Sequence, residues 1–115
     1  MRSRATGDDD RVTPVHTTTL DGVALCGLLV RAAATPTDPA VVFGHGFTNN
    51  ITKPLVNRLI MHCALHADVI AFDFRGHGRS GGGSLVGGIE ELDIDAAVRF
   101  ARSAGYRRVV TMGFS

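Results

Sequence analysis

The chain has 115 residues, 44% hydrophobic and 20% charged, which suits one globular domain. The formal net charge is +1 and no run of like charge exceeds Asp8-Asp9-Asp10. This argues against nucleic acid or an anionic membrane as main partner, since either needs a concentrated basic patch. No apolar stretch is long enough to span a bilayer.

The opening segment, "MRSRATGDDDRV", has basic residues but no apolar stretch behind them. It does not read as a secretory signal, so a cytoplasmic location is expected, with residues 1–14 as a disordered tail and 15–115 as the domain. Cys26 and Cys63 are then expected as free thiols. Asn50-Ile51-Thr52 matches a glycosylation sequon only formally in that setting.

Residues 15–20 and 23–30 are apolar or β-branched and flank Asp21-Gly22. That pattern predicts an antiparallel hairpin with a two-residue turn. A loop marked by Pro36 and Pro39 follows. "AVVFGHG" is a short apolar run ending in glycines, as expected of a strand buried on both faces of a parallel sheet. In the next segment Leu55, Leu59 and Cys63 recur at helical spacing, with Val56, Ile60 and Ala64 beside them. Thr52 is the expected N-cap, with Pro54 in the first turn. "DVIAFDF" predicts a second buried strand, followed by a Gly-rich loop. "IEELDIDAAVRFARSAG" predicts a helix with acids in its first turns and Arg99 and Arg102 in its last, complementing the helix dipole. Asp95 and Arg99 are spaced to pair, and Gly105 suits the C′ position. "RRVVTM" predicts a third strand.

A hairpin followed by β, α, β, α, β implies an α/β fold, with a parallel sheet carrying helices on its faces. Ligands of such sheets gather beyond the carboxyl ends of the strands. Gly44-His45-Gly46, Gly76 to Gly83 and Gly113 all fall there.

Several stretches could carry chemistry. Gly76-His77-Gly78-Arg79-Ser80-Gly81 matches a dinucleotide-binding fingerprint literally. However, "GGSLVGG" follows in place of a helix, and no later strand ends in an acid at the spacing a ribose contact needs. No cofactor is expected. His62 and His66 are four apart, but no third or fourth ligand has metal-site spacing. His16 stands alone in the hairpin.

Three strand ends remain: "VVFGHGFTNN", "DVIAFDFRGHGRSGG" and "VVTMGFS". Together and in this order they resemble the α/β-hydrolase family, from about Val15 to Ser115. The resemblance implies that Gly113-Phe114-Ser115 is the first half of a nucleophile turn, with Ser115 as nucleophile. It implies that the Phe47 N–H is one oxyanion donor, with His45 and Gly46 shaping its loop. It also implies that Asp73, Arg75, Gly76 and His77 border the active site in a mainly structural role.

The sequence departs from the family pattern after Ser115. The second glycine of the motif, the helix that follows it, and the later acid and histidine are not in these 115 residues. The expectation is the amino-terminal part of a serine hydrolase acting on ester, thioester or amide bonds of a small acyl substrate, inactive as this chain alone. The strand ending at Met112 should pair with "VVFG" on one side only. That leaves an edge for a carboxy-terminal half or another protein. The alternative is a non-catalytic remnant or interaction module.

Overall fold

Strand and helix alternate along the chain as the apolar runs predict. The computed structural model describes residues 11–44, 51, 53–73 and 90–113. In chain order these form β1 (Val12–Thr18), β2 (Ala24–Val30), β3 (Ala40–Gly44), α1 (Pro54–Cys63), β4 (Val69–Phe72), α2 (Glu90–Ser103) and β5 (Val109–Gly113). The sheet order is β1-β2-β4-β3-β5. β2 is antiparallel to β1 and β4, whereas β3 is parallel to β4 and β5.

β1 begins at Val12, opposite Val30, so the stretch expected as a tail is partly strand. The hairpin also differs from the expected two-residue turn. The Thr19 N–H donates to Val23 O at 2.9 Å and the Gly22 N–H to Thr19 O at 3.0 Å, which leaves Leu20-Asp21-Gly22 as a three-residue loop. Gly22 takes the positive φ (90°) that such a loop needs at its last position. The buried Thr19 side chain is the reason: its hydroxyl accepts the Val23 N–H at 2.8 Å and donates to Asp21 Oδ1.

β4 lies in the middle of the sheet and every one of its residues is buried. Successive side chains point to opposite faces. Val69 and Ala71 pack with Val56, Ile60 and Ala64 of the α1 side. Ile70 and Phe72 pack with Ala96, Ala97 and Ala101 of α2. The helices therefore cover opposite faces, and the absence of alternation in "VIAF" follows from burial on both.

α1 presents the expected stripe to the sheet apart from Leu55: Ala64 joins the core, with Leu59 and Cys63 partly buried against it. Val56 and Ile60 face the core, while Leu55 is 59% exposed. The helix starts at Pro54 after Lys53, which is extended (φ −65°, ψ 139°) and makes no side-chain cap. Proline disfavours helical geometry in the residue before it, so the boundary falls there. Thr52, the expected cap, lies outside the described residues. α2 ends as expected. Gly105 has φ 105°, its N–H donates to Arg102 O, and the Tyr106 N–H donates to Ala101 O. That is the glycine-terminated pattern in which two last-turn carbonyls are satisfied. Asp95 and Arg99 pair at 2.8 Å, and both cysteines are free.

Gly27 of β2 is opposite Phe72 of β4. A Cβ there would lie 2.2 Å from Ala71 O and 2.8 Å from Phe72 Cα. Backbone cannot move aside as a flexible side chain can. Gly27→Ala is expected to cost about 1–3 kcal/mol, the range for overpacking a close-packed site. A urea midpoint unchanged from the parent would contradict this.

At the amino-terminal ends of the parallel strands, Asp68 is fully buried. Its Oδ1 accepts the Ala32 N–H at 2.8 Å, and its Oδ2 accepts the Tyr106 hydroxyl and, at 3.4 Å, the Thr37 N–H. Arg31 Nε lies 3.1 Å from Oδ2. The Thr37 hydroxyl in turn accepts the Asp68 N–H at 2.8 Å. One carboxylate thus gathers the β2–β3 loop and the turn between α2 and β5.

Burial raises the Tyr106 pKa well above the usual phenol range. The hydrogen bond to Asp68 and that carboxylate's charge add to this, and Arg31 opposes it. A folded pKa above the unfolded one favours the protonated phenol in the fold. Its contribution is intact below about pH 10, the unfolded phenol value, and is lost as pH rises towards the folded value. Tyr106→Phe is expected to flatten this alkaline loss of stability, and to cost about 1–3 kcal/mol at neutral pH for the lost bond to a charged acceptor. Denaturant titrations at pH 7 and pH 11 check both. An equally steep alkaline loss in the phenylalanine variant would contradict the assignment.

Candidate active site

The three parallel strands end at one edge of the sheet. Phe43 of β3 is opposite Ala71 of β4 and Met112 of β5, and Gly44 is opposite Gly113. Paired strands lie about 4.8 Å apart. The last residues of β3 and β5, Gly44 and Gly113, are therefore side by side, with β4 on the far side of β3. This is the edge at which ligands of parallel sheets collect.

Asp73 directly follows β4 and is buried. Its backbone N–H donates to Cys26 O at 2.9 Å, which continues the β2–β4 ladder by one step. Its Oδ1 accepts the Ile51 N–H at 2.7 Å. Ile51 is itself buried, packed with Phe43 and Val56 in the core under α1. The bond joins the end of β4 to the lead-in to α1, so the chain that leaves β3 at Gly44 is held again at Ile51. Asp73 thereby positions Ile51.

Of the residues singled out for the site, Asp73 is the one among the described residues. His45, Gly46, Phe47, Arg75, Gly76, His77 and Ser115 lie outside them. The Ile51 partner of Asp73 was not singled out from sequence. Its signal is one large apolar residue in the polar run Thr48-Asn49-Asn50-Ile51-Thr52, a sign of burial inside a loop.

Asp73→Ala would leave the buried Ile51 N–H without this acceptor, at an expected cost of about 1–3 kcal/mol. Asp73→Asn keeps a side-chain carbonyl that can accept the bond and is expected to cost less. Urea denaturation of both variants checks this, and an asparagine variant weaker than the alanine one would contradict it.

The two helix-region histidines are in ring contact. α1 ends at Cys63, so His66 lies in the turn beyond it, and the His62 and His66 rings meet edge to face at 6.4 Å between centroids. Among the described residues no three side chains are placed to hold a metal ion. No described helix is long and apolar enough to cross a membrane.

The same arrangement of strands and helices recurs in solved proteins. An esterase of Pyrococcus furiosus, Pf2001, superposes in two crystal forms with TM-scores of 0.80 and 0.81 at 28% and 30% identity, over 96% and 98% of this chain. The chain has the α/β-hydrolase fold. The α/β hydrolase GrgF of Penicillium has a TM-score of 0.76 at 22% identity, over 89% of this chain and 37% of its own. Est1E of Butyrivibrio proteoclasticus, solved with ferulic acid bound, has a TM-score of 0.72 at 21% identity, over 88% of this chain and 43% of its own. The chain spans 46% of the Pyrococcus esterase. No protein-family model matches the sequence. The five strands here thus carry one part of an α/β-hydrolase sheet.

Proposed function

We propose that the chain is the amino-terminal part of a serine hydrolase that cleaves ester, thioester or amide bonds through an acyl-enzyme, with Ser115 as nucleophile. The observation that carries this reading is the facing pair Gly44 and Gly113. These are the residues directly before His45 and directly before Phe114-Ser115 in the sequence, which supports a shared site for the two motifs. Likeness to an esterase at 28–30% identity supports the same reaction class.

In the proposed reaction the Ser115 hydroxyl attacks the carbonyl carbon and yields its proton to a base. Negative charge then develops on the carbonyl oxygen, and the Phe47 N–H donates to it. The base and its orienting acid belong to sequence after Ser115, in the order serine, acid, histidine. Without them a serine hydroxyl is a weak nucleophile. The isolated 115-residue chain is therefore expected to show no ester hydrolysis above background. Turnover by the pure chain that disappears in Ser115→Ala would contradict this.

A specific observation favours a second reading. β5 pairs with β3 on one side and has no second strand neighbour among the described residues. Its Val110 and Met112 are 48% and 41% exposed. An apolar, half-paired edge strand is a template for another strand. In the first reading this edge takes the remainder of the same hydrolase, and in the second it takes a different protein. The intact mass of the native protein in its own cells separates them. A mass well above 12.2 kDa supports the hydrolase, and a mass near that value supports the interaction module.

A further inference from the structure

Among the described residues, the face of the sheet that carries α1 has a cavity at its β1–β2 corner. Alternate residues share a face of a strand, so Pro14 and His16 of β1 and Cys26 and Leu28 of β2 form one platform. Pro14 is opposite Leu28 and His16 is opposite Cys26. These four residues, with Ile51 and Asp73, line a cavity of about 200 Å³. Leu28 and Ile51 belong to the core under α1, whereas Pro14 and His16 are exposed at the rim.

The lining selects a class of ligand. A cavity of about 150 Å³ walled by aliphatic carbon takes up benzene, so this one is large enough for a ring with a small substituent. Proline, leucine and isoleucine side chains supply apolar walls. The Asp73 carboxylate disfavours an anion, whose charge would lie close to its own in a partly desolvated site. We propose that this cavity is a binding pocket for an uncharged small molecule with a single aromatic or alicyclic ring, seated on the side of β4 away from β3 and β5. The pocket shares Ile51 and Asp73 with the bond that holds the lead-in to α1, so its occupant would rest against that anchor.

Cys26 serves as a reporter within the wall. The test follows the rate of Cys26 alkylation by iodoacetamide in a Cys63→Ser chain, with indole as probe. Indole is expected to slow alkylation saturably, by about five-fold or more, with a midpoint between roughly 10 µM and a few millimolar, as suits a ligand of this size. Benzoate at equal concentration is expected to protect less. His16→Trp fills the pocket mouth from an exposed position and is expected to remove the indole effect. In the unsubstituted chain, indole is expected to shift the Leu28 and Ile51 methyl resonances. An alkylation rate independent of indole to its solubility limit, or the same slowing in His16→Trp, would overturn the proposal. So would unshifted Leu28 and Ile51 methyls.

Discussion

If the proposed hydrolase reading holds, Ser115→Ala is expected to lower kcat of the complete hydrolase by about 10⁶-fold, the size of loss seen when a serine protease loses its nucleophile. KM is expected to change little, because the hydroxyl contributes to the reacting centre and not to holding the rest of the substrate. The size of the effect separates two roles. A serine that only closed a strand would cost at most a few-fold on removal. A nucleophile carries the covalent step, and no neighbouring group replaces it. The measurement is steady-state hydrolysis of an activated ester by the full-length protein and its alanine variant. A loss below about ten-fold would remove Ser115 from the proposed mechanism.

The second large effect lies at the opposite edge of the sheet. Asp68→Ala is expected to destabilise the fold by about 3–5 kcal/mol, the range for breaking a buried ion pair by removing one partner. Arg31 would lose its counter-charge, and the Ala32 N–H and the Tyr106 hydroxyl would lose their acceptor. Arg31 is 28% exposed, so water can recover part of its solvation. That places the expected cost towards the lower end of the range. Domains of this kind have about 5–15 kcal/mol in total, so the variant should be partly unfolded at modest denaturant. The exposed Arg108–Asp38 pair at 3.2 Å provides the contrast. Removing Asp38 is expected to cost less than about 1 kcal/mol. Urea titrations rank the two, and an Asp68 variant no weaker than the Asp38 variant would contradict the account.

Some features were legible in the sequence because they depend on neighbours along the chain. The apolar runs of β3 and β4 mark buried strands, and that of β5 marks a strand, without tertiary information. Gly105 marks the end of α2, because only a residue tolerant of positive φ suits that position. The pairing of β5 with β3 was also readable, through the resemblance carried by the strand-end motifs. Other features depend on partners far away in sequence. Asp68 reads as an ordinary polar residue ahead of a strand, and its role rests on Ala32 and Tyr106, 36 and 38 positions away. The apolar stripe of α1 was legible except at its first member: Val56, Ile60 and Ala64 are core and Leu59 and Cys63 pack against it, whereas Leu55 is exposed. The hairpin was taken one residue too short because Asp-Gly is a strong turn signal, while the side-chain bonds of Thr19 that close the wider loop leave no local pattern. For the candidate site, the sequence singled out Asp73 but not its partner Ile51, whose bond depends on a contact 22 positions away.

Labelling the native protein in extracts of its own cells with a fluorophosphonate serine probe, followed by mapping of the modified peptide, tests the central claim most directly. The account predicts phosphonylation on the Ser115 hydroxyl, in the peptide that begins after Arg108. A native protein that is intact and folded but carries no label on Ser115, or carries it on another serine, would contradict it.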